Sequence, residues 1–373
     1  MQHEASGAVA EVIGDSAAVE VLRGLVDTPS ISGDERAAVD YLVAAMQRLG
    51  MQARVDETGN AVGSVGEGRP EIVLLGHIDT VPGNIPVRIE DGKLYGRGAV
   101  DAKGPLAAFV MAAARAHAAG ALHGRITVIG CVEEEAPSSR GAHGVLERYQ
   151  PDYCIVGEPS GTGAITLGYK GSLRARIRLT QPAGHSAHDR STAAERGSDL
   201  WQQIRAWADE VNAGQERAWD QLLPALVGIH SDGDGLHDWC DLELSIRLPE
   251  EIGPEAVEAH LGELAGDGHV EILGAVPAFR APRTSPLART LIAALREEGL
   301  TARFVVKTGT SDMNLAGPAW GCPILTYGPG DASLDHTPDE HILLDDYLHA
   351  VRVLERTLNM LIQAQESAGV ATT

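Results

Sequence analysis

Positive charge is scarce in this chain. Lys and Arg number 30 against 52 Asp and Glu, a net charge of −22. That argues against a nucleic-acid partner, because phosphate recognition needs a positive surface. Cysteine is scarce too. Cys131, Cys154, Cys240 and Cys322 stand far apart, with no CxxC or CxxH pair among them, so a zinc finger is excluded by spacing. Cys131, Cys154 and Cys322 lie in or beside apolar runs and read as small buried hydrophobes. No apolar run is long enough to span a bilayer, and the opening MQHEASGAVAEVIGD has neither a basic start nor a long apolar stretch. The expectation is no membrane partner and a cytoplasmic location. Aromatics are only 4% of the chain, which leaves small side chains to pack helix on sheet.

What is present is apolar and periodic. Hydrophobic residues are 44% of 373, enough for two domains with sizeable cores. Residues 17–30 and 33–50 read as helices, the first ended before Pro29 and the second by Gly50. Residues 104–120 form a strongly apolar helix with Pro105 in its first turn, and 345–364 form a closing helix. EIVLLGH (71–77), GRITVIGCV (124–132), DYCIVGE (152–158) and CPILTYG (322–328) read as buried strands. Apolar strands alternating with helices predict an α/β sheet covered on both faces.

The middle of the chain follows another rule. GSLRARIRLT (171–180) and DLELSIRLP (241–249) alternate, with Leu173, Ala175, Ile177 and Leu179 on one face and Arg174, Arg176 and Arg178 on the other. Period two means a sheet with one wet face. With helices near 192–211 and 254–265, this predicts a small α+β domain inserted at about 170–281, flanked by residues 1–169 and 282–373 of one domain.

In open α/β sheets, ligands bind beyond the carboxyl ends of the strands. His77 and Asp79 follow one strand, Glu133, Glu134 and Glu135 another, and Glu158 a third. Asp101 lies in the glycine-rich GRGAVDAKGP ahead of a helix, and His336 in GPGDASLDHTPDEH after LTYG. Taken singly, His-x-Asp is a common polar loop and a Glu triplet a common solvated face. Asp331, Asp335, Asp339 and Glu340 read as surface charges. Taken jointly, imidazoles and carboxylates on one sheet edge suit Zn²⁺, Co²⁺ or Mn²⁺, and a shared carboxylate can bridge two ions.

The blocks GHIDTVP, GRGAVDAKGPL, VEEEAPSSRGA, VGEPS, GHSAH, KTGTSDMN and the His336 loop together resemble the dinuclear-zinc M20 amidohydrolases, the group of acetylornithine deacetylase, succinyl-diaminopimelate desuccinylase and carboxypeptidase G. The resemblance covers nearly the whole chain. It implies a zinc-peptidase-like catalytic domain with a central mixed sheet, and a ferredoxin-like insert serving as lid and dimerisation domain. It implies two Zn²⁺, for which Co²⁺ can substitute. Asp101 bridges them, His77 and Glu158 complete one site, and Glu135 and His336 the other. Asp79 steadies the free ring nitrogen of His77, and Glu134 is the general base; a shift to Glu133/Glu134 is the alternative register. His185 supplies an oxyanion donor, often across a homodimer, while His188 reads as a surface histidine. Arg247 reads either as a cross-strand partner for an acid or as a fork for a substrate carboxylate. Gly309, Thr310 and Ser311 offer donors near the substrate, and Asp312 a cap or turn.

Two blocks, GRGAVDAKGPLAAF and KTGTSDMN, are most similar to the lysine-biosynthesis branch. That branch releases lysine or ornithine from the C-terminal glutamate side chain of the small acidic carrier protein LysW. The alternatives are N-acetylornithine or N-acetyl-lysine deacetylation and succinyl-diaminopimelate desuccinylation. A non-catalytic relative would be expected to lack a ligand or the base, and this chain has all of them. An acidic carrier calls for local positive charge, for which Lys103, Lys170, Arg174, Arg176 and Arg178 are the candidates.

Overall fold

Strands and helices alternate along the chain as its apolar periodicity requires. The computed structural model describes residues 13–120, 123–185 and 190–370. Helices α1 (Asp15–Val26) and α2 (Arg36–Arg48) precede β1 (Gln52–Val55) and the long β2 (Ala61–His77). The short strands β3 (Arg88–Glu90) and β4 (Lys93–Tyr95) lead to α3 (Lys103–Ala118), β5 (His123–Cys131), α4 (Arg140–Leu146), β6 (Tyr153–Gly157) and β7 (Ala164–Tyr169). Then come β8 (Gly171–Pro182), α5 (Ala193–Val211), β9 (Leu223–Gly233), β10 (His237–Leu248), α6 (Pro254–Ala265), β11 (His269–Val276) and β12 (Phe279–Arg280). The chain continues through α7 (Pro286–Glu297), β13 (Arg303–Lys307), α8 (Met313–Trp320), β14 (Ile324–Thr326), β15 (His341–Leu343) and α9 (Leu344–Val370).

Contacts divide these elements into two units. The second comprises Gly168–Arg280 and Val306–Thr310, and the first holds the remaining described residues. Nothing in the periodicity of Val306–Thr310 signalled that it would join the second unit.

The first unit is built on a mixed sheet. Its strands β2 and β6 are parallel, with Leu74 opposite Ile155 and Gly76 opposite Gly157. Strand β5 lies between the two halves of β2, from Val62 opposite Ile129 on one side to His77 opposite Cys131 on the other. Strand β14 runs parallel to β6 on its far side, and β7 and β13 extend the sheet. Leu74, Leu75, Val128, Ile129, Ile155 and Val156 are all buried, as expected for parallel strands covered on both faces. Each such side chain contributes about 1.5–3 kcal/mol by leaving water. Helix α3 is apolar all round because it packs against β2, α1 and α9 at once. Gly104 permits its close start: a Cβ there would meet the carbonyl oxygen of Ala99 at 2.4 Å. The register has a functional consequence. His77, Cys131 and Gly157 end side by side, so the residues that follow them emerge at one edge of the sheet.

In the second unit the sheet order is β11-β8-β10-β9. Leu173, Ala175, Ile177 and Leu179 of β8 and Leu242, Leu244, Ile246 and Leu248 of β10 form one apolar face under Leu200 and Ile204 of α5 and Val257 and Leu261 of α6. Thr192 and Glu195 make a reciprocal cap at the start of α5. Strands β9 and β11 were not foreseen. They are the sheet's edges, their side chains are mostly half-buried or exposed, and so their period-two signal is faint.

Candidate metal centre

His77 closes β2 and is only 1% exposed. Its Nε2 lies 3.3 Å from Asp101 Oδ1 and 3.8 Å from Glu158 Oε1. The other carboxylate oxygen of Asp101 faces a second histidine, with His336 Nε2 3.1 Å from Asp101 Oδ2 and 2.9 Å from Glu135 Oε1. Two ligand groups result, His77–Asp101–Glu158 and Asp101–Glu135–His336, with the ligand atoms of each within 4.8 Å of one another. Asp101 belongs to both. Imidazole nitrogen and carboxylate oxygen in this number suit divalent zinc-like cations, so the donor set fits a metal pair.

The electrostatics agree. Burial would depress the His77 imidazole, but Asp101, Asp79 and the charges of Glu134 and Glu158 push it well above its ordinary value. His336 is raised to about 10 by its bonds to Asp101 and Glu135. Burial works against the Asp101 carboxylate, yet His336 and His77 hold it well below the usual range. A site so rich in negative charge calls for cations.

Asp79 is completely buried. The nearest partner of His77 Nδ1 is the backbone carbonyl oxygen of Asp79, at 3.1 Å, while the carboxylate Oδ1 is 3.5 Å away. Ring support from this residue is thus chiefly a backbone matter. The carboxylate accepts the backbone N–H of Glu134 and of Glu135 and the hydroxyl of Ser32.

The Glu triplet divides its tasks. Glu133 has a left-handed backbone (φ 57) and turns to Ser138 and Arg140. Glu135 meets His336. Glu134, between them, is pushed well above the usual carboxylate range by desolvation and by the charges of Glu158, Asp312 and Glu135. His336 also adopts a left-handed backbone, at φ 61, a conformation uncommon outside glycine.

Other expected residues belong to the second unit. Arg247 donates from Nη1 to Thr310 Oγ1 at 3.0 Å. Gly309 has open space where a Cβ would stand. His185 is exposed, and His188 lies outside the described residues. In the first unit, the Ser311 hydroxyl accepts the N–H of Met313 at 3.2 Å, at the start of α8.

Two expectations need correction. Glu340 is not a surface charge: it is 0% exposed and bonded to Arg97, Val100 and Asp101. Nothing in HTPDEH distinguishes it from Asp339, which is exposed. The five basic residues also do not supply a set of free cations. Lys103 is buried on the carbonyl oxygen of Thr28, and Lys170 on those of Ala218, Trp219 and Gln221. Arg176 pairs with Glu243 and Glu271, and Arg178 with Asp241; Arg174 is exposed.

Residues 73–360 match the model of peptidase family M20/M25/M40. The chain belongs to this family. It is 43% identical to a LysW-lysine hydrolase of Deinococcus radiodurans, over 93% of this chain and 97% of that protein. Its fold is similar to that of a tripeptidase from Staphylococcus aureus, with TM-score 0.77 at 18% identity over 94% of this chain and 99% of that one. A dinuclear metal-binding M20 peptidase of Bacillus subtilis superposes with TM-score 0.70 at 14% identity, over 94% and 98% of the two chains. Among the described residues of this M20 member, no helix is long and apolar enough to cross a membrane.

Proposed function

We propose that this M20 hydrolase cleaves the amide that joins lysine, or ornithine, to the C-terminal glutamate side chain of the carrier protein LysW. The observation that carries the chemistry is Asp101, whose two oxygens each face a different histidine. The choice of amide is supported by the 43% identity to the LysW-lysine hydrolase.

In this reading His77 and Glu158 hold one cation, Glu135 and His336 the other, and Asp101 both; zinc is the proposed ion, with cobalt able to replace it. Such a pair supplies Lewis acidity toward the amide carbonyl and the attacking water. Glu134 accepts the proton of that water and returns it to the departing amine. In the metal-free protein its proton affinity is raised, and bound cations would bring it back down by favouring the carboxylate. Asp79 holds the backbone from which Glu134 projects. We assign His185 to the developing oxyanion, and Arg247, with Gly309, Thr310 and Ser311, to the free α-carboxylate of the amino acid.

A homodimer is part of the proposal, with the second unit as lid and dimerisation domain. Support comes from β9, an edge strand that exposes Val227 and Ile229. The five basic residues considered above supply little free positive charge, so carrier recognition is not assigned to them.

The deciding experiment compares kcat/KM on LysW-linked lysine with that on free N-acetyl-lysine and N-acetylornithine. Preference for the carrier-linked substrate by a factor of about 10² or more, some 2.7 kcal/mol, is expected. Equal or better turnover of the free acyl amino acids would make the protein a deacetylase instead.

A further inference from the structure

We propose that Glu340 is the positioning residue that fixes Asp101, and through it the metal position formed by Asp101, Glu135 and His336. This rests on the reading that both ligand groups hold cations.

Glu340 has no exposed surface. A buried carboxylate loses its hydration and must recover that free energy from partners. Glu340 recovers it from a single loop. Oε1 accepts the backbone N–H of Val100 at 2.9 Å and of Asp101 at 3.2 Å. Oε2 accepts Arg97 Nη1 at 2.7 Å. All three donors lie in the GRGAVD stretch that presents Asp101, and one is the backbone of Asp101 itself. These bonds go to Arg97 and to backbone N–H groups, so Glu340 acts by holding the root from which the ligand projects.

The same contact reaches the other side of the site. Arg97 Nη1 also donates to the carbonyl oxygen of Thr337, at 3.3 Å, the residue after His336. The backbone N–H of Gly96 donates to the carbonyl oxygen of Glu340, at 3.3 Å. Strand β15, which starts directly after Glu340, pairs with β4. One ion pair, between the buried Glu340 and the half-buried Arg97, therefore joins the two loops that carry Asp101 and His336. Glu158, by contrast, follows β6, and His77 belongs to β2. Loosening Glu340 disturbs the Asp101–Glu135–His336 group more than the other.

The test is cation uptake, read independently of turnover. Metal-free wild type, Glu340→Gln and Arg97→Gln are titrated with Co²⁺, following its visible absorption, and the bound metal is counted by elemental analysis. Glu340→Gln places an amide NH₂ group or an uncharged oxygen against Arg97. It is expected to bind its second equivalent about 10–100-fold more weakly than wild type, the range for losing a partner that orients a ligand, with the first equivalent, which shares Asp101 but keeps His77 and Glu158, weakened by a clearly smaller factor. At saturating cobalt its KM should match wild type. Arg97→Gln keeps both backbone bonds to Glu340 and should weaken the same equivalent by a smaller factor. A folded Glu340→Gln protein with two wild-type affinities overturns the proposal, as does equal weakening of both equivalents, the mark of a merely structural role. If Glu340→Gln does not fold, Arg97→Gln decides, and wild-type affinities in it overturn the proposal. Fewer than two equivalents in wild type would instead overturn the dinuclear reading.

Discussion

The carboxylate of Asp79 accepts the backbone N–H groups of both Glu134 and Glu135, each at 3.0 Å. One buried side chain thereby sets the position of the proposed base and of a proposed ligand, while its own carbonyl oxygen contacts the ring of His77. The Ser32 hydroxyl, 2.7 Å from Oδ2, completes its partners. Burial raises the proton affinity of this carboxylate, but these bonds and the His77 charge win and hold it below the usual range.

Asp79→Asn should therefore affect chemistry as well as folding. The amide offers one acceptor where two N–H groups need one each, and its NH₂ opposes a donor. Charge-assisted bonds of this kind contribute about 1.5–3 kcal/mol each. A fall in kcat of about 10–100-fold, with a lower Tm, is expected from steady-state kinetics and thermal unfolding. Wild-type kcat in a folded variant would remove Asp79 from the site.

Glu134→Gln keeps shape and removes the base. The expected loss in kcat is about 10²–10⁴-fold, with KM and bound metal unchanged. Hydrolysis at the wild-type rate would remove Glu134 from the role of base.

Cation uptake should compete with protons. In the metal-free protein His336 has a pKa of about 10, so it is protonated at neutral pH and must lose that proton to serve as a ligand. Apparent affinity should rise as pH rises toward about 10, by about tenfold per pH unit for each proton displaced. Calorimetry in buffers of different ionisation enthalpy would count the protons. Chelation should abolish activity, zinc or cobalt should restore it, and His336→Ala should lose one equivalent.

Asp312 offers a stability test. Neither of its buried oxygens is hydrogen-bonded to a nitrogen or oxygen, and the weak Cys131 thiol lies beside it. Burial raises it from 3.8 to about 7. The folded state thus binds this proton more tightly than the unfolded chain, and the contribution of Asp312 to stability falls as pH rises from about 4 through 7. Asp312→Asn does not titrate. In the metal-free protein it should gain on the order of 4 kcal/mol over wild type at pH 8 and little at pH 4. Denaturant titration at both values checks this.

The strands that build the centre were legible because β2, β5, β6 and β14 are buried on both faces and read as apolar runs. The polar residues just beyond them were visible as interruptions of those runs. The support beneath the ligands was not legible. Glu340 looks like its neighbour Asp339, and Ser32 and Arg97 carry no mark of their partners. Lys103 and Lys170 read as surface cations because burial of a lysine on backbone carbonyls leaves no trace in local pattern.

The sequence by itself determined the alternation of strand and helix and the residue types at the strand ends, because hydrophobic periodicity and donor chemistry are local properties. Only the tertiary structure decided that Asp101 turns one oxygen to each histidine and that Glu340 holds its backbone. Those contacts join positions as much as 239 residues apart, and such pairing is set by packing, which no stretch of chain contains alone.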